Sequence, residues 1–383
     1  MLYTVAGVAI LLVVAFDVYV TVLHAVGKTG PISNRLAHMI WHVSRGVAFR
    51  LPRARRHRLL HAVGPLLMPL IIFVFVASLV IGFALIYLPR MPGHFYVQNQ
   101  HVISPWLTSL YFSGTTLTTL GYGDISPQSI EMRFTALAEA ATGLILISLT
   151  ITYLISVYQA LERKRTIALS FYHQAEGGAD AVGYIAHHFV SGRFIGIQSN
   201  LRTAALNLQE VLESHIEHPV IHYFHPLEVY KGVPRVLFLS LEVFAVVRSC
   251  LDKEEYGELY HHPDVKTLGT SAMHTLNDFA ALLRLNVPSR PAGPSREESS
   301  RWKERFEQTL ARLHENGIST EKDKEAAWET YRNQRSEWES SLYSFARHLG
   351  YDWDEVTGDH DLRMASDEIN EPAPIEPFSK DVV

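Results

Sequence analysis

Apolar residues gather in three long runs in the first half of this chain and then recur at helical intervals through the second. Residues 2–25 form the first run, interrupted by Asp17; Val63 to Leu88 forms the second, with no charge at all; residues 130–162 form the third, carrying Arg133 near one end and Glu139 inside. A bilayer is crossed by about 20 apolar residues, so each run predicts a spanning helix. A shorter amphipathic stretch, Ser104 to Leu117, lies between the second and third runs.

Residues 28–62 hold Lys28, Arg35, Arg45, Arg50, Arg53, Arg55, Arg56 and Arg58 and no acidic residue. A short basic loop between spans reads as cytoplasmic, which puts the N-terminus outside. The start Met1-Leu2-Tyr3-Thr4 lacks the basic residues of a signal peptide, so the first run is expected to stay as a helix. Leu36, Met39, Ile40, Val43 and Val47 recur at helical spacing and predict an amphipathic helix along the membrane surface. Arg50, Arg53 and Arg56 have the spacing of a voltage sensor, but Pro52, Arg55 and Arg58 stand where apolar residues are needed. Asp17 and Glu139 are costly at membrane depth; ties to the basic linker and to the surroundings of the 104–117 stretch, respectively, are expected.

The second half reads as a helical cytoplasmic domain over 166–287, a Pro- and Ser-bearing linker over 288–300, a polar helical segment over 301–351 and an acidic disordered tail over 352–383. Leu201, Ala205, Leu208, Val211, Leu212 and Ile216 step at three and four. Val236 to Val247 is nearly all apolar but short, and it contains Ser240 and Glu242; a buried soluble helix started by Pro234 is expected rather than a fourth span. Trp302, Phe306, Leu310 and Leu313, and then Leu342, Phe345 and Leu349, make apolar stripes. No G-x-G-x-x-G and no alternating strand pattern occurs, which argues against a Rossmann regulator and a cyclic-nucleotide jelly roll.

The hydrophobic content of 48% and net charge of -5 over 383 residues average a membrane half with a polar half. The single cysteine, Cys250, excludes an intrachain disulfide. Among the 20 histidines, His215, His218, His222 and His225 are spaced three, four and three apart. On one helix they would share a face as a metal or proton-sensing site, but Pro219 breaks such a helix; structural histidines are the other reading. No H-E-x-x-H supports protease chemistry, and no enzyme activity is expected.

The remaining feature is Thr118-Thr119-Leu120-Gly121-Tyr122-Gly123-Asp124, just after the amphipathic stretch. Rings of backbone carbonyls can replace an ion's water shell, and that demands successive carbonyls turned the same way. Gly121 and Gly123 adopt the required dihedrals without steric cost. Ser104 and Pro105 suit a helix start, and the C-terminal dipole end of that helix favours a cation. The stretch resembles the signature of potassium channels of the two-helix pore superfamily, over roughly residues 66–165.

That resemblance implies an all-α membrane protein: an N-terminal transmembrane helix (1–27), then a pore domain (63–165) with outer helix 63–88, pore helix 104–117, filter 118–124 and inner helix 130–162. It implies potassium as the transported ion, no other cofactor, and a homotetramer in the plasma membrane with each copy meeting three others around one axis. It assigns Tyr111 and Phe112 to an aromatic cuff, with Tyr111 a partner of Asp124. Thr115 stands where many members carry a carboxylate, and Leu120 stands where Val or Ile is usual. Gly143 aligns with the hinge glycine, or permits close helix packing; Ile147, Ile151 and Ile155 follow on one face as cavity or gate residues. A weakly selective cation pore, and a cytoplasmic sensor of a small molecule or ion with the pore as its output, remain alternatives. No nucleic-acid partner is expected.

Overall fold

A computed structural model describes residues 1–23, 30–98, 104–175, 180–285 and 295–359. Lys28, linker residues 288–294 and tail residues 360–383 lie outside the described residues. The chain divides into two units, one of residues 1–43, 63–159 and 216–221, the other of residues 44–62, 160–215 and 222–383.

The first unit begins with α1 (Leu2–Val18), whose last turn widens into a π-helical Tyr19–Leu23. Next come α2 (Pro31–Ala48) and α3 (Arg53–Tyr87), whose residues 44–48 and 53–62 belong to the second unit. A short α4 (Met91–His94) leads into β1 (Phe95–Val97), followed by α5 (Pro105–Leu117), β2 (Ile125–Pro127) and α6 (Ile130–Gln174). Strands β1 and β2 pair antiparallel, Tyr96 opposite Ser126. Three helical stretches, Leu2–Leu23, Arg53–Arg90 and Ile130–Gln174, are long and apolar enough to cross a membrane, so the protein is multi-pass and membrane-embedded.

Small residues set the packing here, as is usual between membrane helices. A Cβ on Gly7 of α1 would sit 2.5 Å from the Gly82 carbonyl of α3, so glycine at 7 permits the close approach. Asp17, fully buried, accepts hydrogen bonds from the Ile32 amide (2.5 Å) and the Ser33 hydroxyl (2.6 Å). It therefore caps the start of α2. The expected tie to the basic linker is made to backbone and hydroxyl donors, not to an arginine.

Two boundaries differ from the hydropathy reading. α3 starts at Arg53, not at 63, because basic residues are good helix formers and no breaker separates them from the apolar run. Pro65 and Pro69 consequently lie inside α3 rather than at its start. α6 continues to Gln174 for the same reason, past the charged collar at 162–165.

The second unit comprises α7 (Ala181–Ala186), the hairpin β3 (Phe189–Val190) with β4 (Arg193–Phe194), α8 (Ile197–Glu217) and α9 (Val233–Ser249). Then follow α10 (Gly257–Tyr260), α11 (Pro263–Leu282), α12 (Arg296–Glu315), α13 (Lys324–Leu349) and α14 (Trp353–Thr357). α9 is the buried soluble helix expected from 236–247, with Pro234 in its first turn, and α7, α11, α13 and α14 pack around it. Its one acid, Glu242, is matched: Arg335 of α13 donates to it at 2.9 Å and to the buried Glu339, and Trp302 donates to Glu339 at 2.9 Å. The stripe Trp302, Phe306, Leu310 and Leu313 is buried.

The acidic stretch does not begin as a disordered tail at 352. Asp352 and Glu355 form a capping box that starts α14, and Trp353 and Val356 are buried. Around them Arg53 and Arg56 supply the opposite charge, and His57 a ring nitrogen. Arg53 lies 2.7 Å from Asp354 and 3.2 Å from Asp352, Arg56 pairs with Asp352, and His57 Nε2 lies 3.0 Å from Glu355. Of the three arginines with sensor spacing, Arg53 and Arg56 are thus buried ion-pair partners, while Arg50 is exposed.

Candidate ion-conduction site

α5 starts at Pro105, with Ser104 in extended conformation at the N-cap position; the Ser104 side chain makes no cap bond. Its C-terminal end holds the segment that follows. The Thr115 carbonyl accepts the amides of Leu120 (2.9 Å) and Gly121 (3.3 Å), the Thr116 carbonyl accepts Thr119, and the Gly114 carbonyl accepts the Thr118 amide and hydroxyl. The carbonyls that a helix end leaves unpaired are thereby used to fold residues 118–121 back onto the helix. Thr115 acts through its backbone, a role its side chain did not announce.

From Thr119 the backbone alternates in hand. Thr119, Gly121 and Gly123 have φ of +58°, +52° and +80°, while Thr118, Leu120, Tyr122 and Asp124 are not among the positive-φ residues. In a uniformly extended strand successive carbonyls point to opposite sides; alternating left- and right-handed residues turns them to one side. Glycine takes the left-handed conformation freely, but at β-branched Thr119 it costs roughly 1–2 kcal/mol. Such strain collects at functional segments. Composition reveals only the two glycines; their two-residue spacing, extended back one step, is the signal that finds Thr119.

The outer end is tied down separately. Asp124 accepts from the Ile125 amide at 3.1 Å and pairs with the Tyr111 phenol, while its carbonyl accepts from the Gln98 amide at 2.9 Å. Phe112 is buried edge-on against Tyr87 and Phe95, both at 5.1 Å. Leu120 and Tyr122 are 60% and 69% exposed in the single chain.

Two residues of α6 grip α5. A Cβ on Gly143 would lie 2.0 Å from the Leu117 carbonyl, so close packing requires glycine there, and α6 runs unbroken through it. Glu139, fully buried, lies 2.5 Å from Ser113 Oγ of α5 and accepts from the Tyr87 hydroxyl of α3 at 2.7 Å. This is the expected tie to the surroundings of α5. Ser113 and Tyr87 carried no sequence signal, because a lone hydroxyl in an apolar run acquires meaning only once its neighbour is known. Ile147, Ile151 and Ile155 are exposed in the single chain, on one face of α6.

The four histidines do not converge. α8 ends at Glu217, and Pro219–Tyr223 is a 3-10 turn, as Pro219 requires. His215 and His222 lie 4.7 Å apart between ring centroids and pack on Phe279. His225 instead bonds His57 Nδ1 at 2.7 Å, and His218 packs edge-on to Tyr153. Among the described residues no group of three or more His, Cys, Asp or Glu is arranged to hold a metal ion, so the metal reading of these four is corrected. Burial pushes His222 down to about 3, with the charges of Lys164 and His348 adding to the effect; burial likewise holds His215 and His225 well below the usual histidine range.

Residues 70–160 match the family Ion_trans_2, described as ion channel. The chain is also similar to YdjJ, an uncharacterized membrane protein of Bacillus subtilis (strain 168), with 29% identity over 256 residues, 67% of this chain and 70% of the relative. No solved structure matches the chain at a significant level. The matched segment runs from the outer helix through the 118–124 loop into the inner helix and is similar to two-helix pore ion channels, and the protein is membrane-embedded.

Proposed function

We propose that the protein is a potassium-selective ion channel and that Thr119 to Gly123 form its filter, with Asp124 ending it. The observation that carries this reading is the alternation of positive φ at Thr119, Gly121 and Gly123 within T-T-L-G-Y-G-D. Carbonyls turned to one side supply the oxygen rings that substitute for potassium's water shell. A ring needs four such loops, and the chain has one. The assembly is therefore a homotetramer, and neighbouring copies cover the exposed Leu120 and Tyr122. The basic residues between the first and second apolar runs support a cytoplasmic second unit and an N-terminus outside, in the plasma membrane on this reading. The second unit controls opening. Conduction is passive, without catalysis.

The test is the reversal potential of purified protein in a planar bilayer, potassium on one side and sodium on the other. A value near the potassium equilibrium potential is expected, and Tyr122→Ala or Gly123→Ala should abolish selectivity or current. A wild-type value near zero would identify a weakly selective cation pore; unchanged potassium selectivity in both variants would overturn the filter assignment.

A further inference from the structure

With Glu139 ionised, the two close oxygen contacts of Ser113 cannot both be hydrogen bonds. Ser113 Oγ has two close oxygen neighbours, the Val80 carbonyl at 2.9 Å and Glu139 Oε1 at 2.5 Å. A serine hydroxyl carries one hydrogen. The Val80 carbonyl can only accept, so if Ser113 donates there, the proton between Ser113 and Glu139 must come from Glu139. If Ser113 donates to Glu139 instead, two acceptor oxygens are left 2.9 Å apart with no hydrogen between them. The second carboxyl oxygen is already supplied, because the Tyr87 hydroxyl donates to Oε2 at 2.7 Å. The partners of Glu139 here are these two hydroxyls, and neither carries a charge that would offset an anion in a site with no exposure. Buried ionised carboxylates without a countercharge are costly.

We propose that Glu139 is a neutral carboxylic acid in the working channel, and that it is a positioning residue for the conduction loop. Its Oε1–H donates to Ser113 Oγ, and Ser113 Oγ–H donates to Val80 of the outer helix. One proton thereby closes a relay that pins α5 to α3 and α6 together. The relay acts two residues before Thr115, whose carbonyl holds the amides of Leu120 and Gly121. A shift of Ser113 is passed directly to the start of the loop. The inference rests on reading residues 118–124 as the conducting filter.

Glu139→Gln separates the two protonation states. An amide keeps a donor atom on one side and an acceptor oxygen on the other and so replaces the neutral acid, but not a carboxylate. We expect E139Q to assemble and conduct with the wild-type potassium-over-sodium ratio. E139A and Ser113→Ala should lose at least tenfold of that ratio or of the current. In the infrared, a protonated-carboxyl carbonyl band should be present in wild type at pH 7 and missing in E139Q. E139Q as impaired as E139A, or a wild type without that band, would overturn the proposal. The band is independent of selectivity, so a non-selective wild type that keeps it would reject the filter reading and not the protonation state.

Discussion

The Arg56 guanidinium meets the Asp352 carboxylate across 296 positions of sequence, Nη1 to Oδ1 at 3.0 Å, with both side chains buried. Removing one partner of a buried pair leaves the other uncompensated and typically costs about 3–5 kcal/mol. Arg56→Ala and Asp352→Asn should each lower the thermal stability of the purified protein by that order. The double variant should cost clearly less than the sum, and a double-mutant cycle on melting curves reads the coupling.

Acid should loosen the second unit. His215, His222 and His225 are held neutral by burial, so their folded-state values lie below the unfolded value near 6.5. The unfolded chain then binds more protons than the folded one once the pH drops below about 6.5. Stability falls as pH falls through that window, towards about 3 for His222, by up to roughly 1.4 kcal/mol per pH unit per histidine. Urea midpoints measured at pH 7.5 and pH 5.5 should differ in this sense. His222→Leu should make the difference smaller; a higher midpoint at pH 5.5 would contradict the account.

Cys250 reports on the same unit. Its thiol is fully buried and burial pushes it up to about 12. Thiol reagents should leave it unmodified in folded protein at pH 8 and label it fully in denaturant, and labelling time courses will show which holds.

Asp17→Ala should cost about 1 kcal/mol through loss of the α2 cap, and Asp17→Asn clearly less, because its remaining carbonyl oxygen still accepts. Hydrogen exchange at Ile32 and Ser33 is the readout, with faster exchange expected in the alanine variant.

Much of the membrane half was legible because its signals are local. Hydropathy marks Leu2–Leu23, and the two other spans are visible from their apolar cores. Ser104-Pro105 marks the start of α5 within one residue, and the 118–124 motif marks the loop. Pro219 broke the histidine row as expected, since a ring without an amide hydrogen ends a helix wherever it occurs. What stayed hidden depends on partners distant in sequence. Nothing at Arg53 or Arg56 announces a carboxylate near the other end of the chain, so they read as a solvated or membrane-facing linker, and Asp352 to Glu355 read as a tail. The left-handed backbone of Thr119, a residue already placed in the loop by the motif, escaped for a different reason: β-branched residues are rarely left-handed, and only the alternation around it overrides that preference.

Gly143 has a mechanical consequence. The residues one turn away on the same face of α6 are Glu139 and Ile147, and neither side chain fits where a single methyl would already lie 2.0 Å from the Leu117 carbonyl. Sliding the inner helix by one turn, about 5.4 Å, would drive one of them into that carbonyl. A one-turn slide of α6 along α5 is therefore sterically opposed at residue 143.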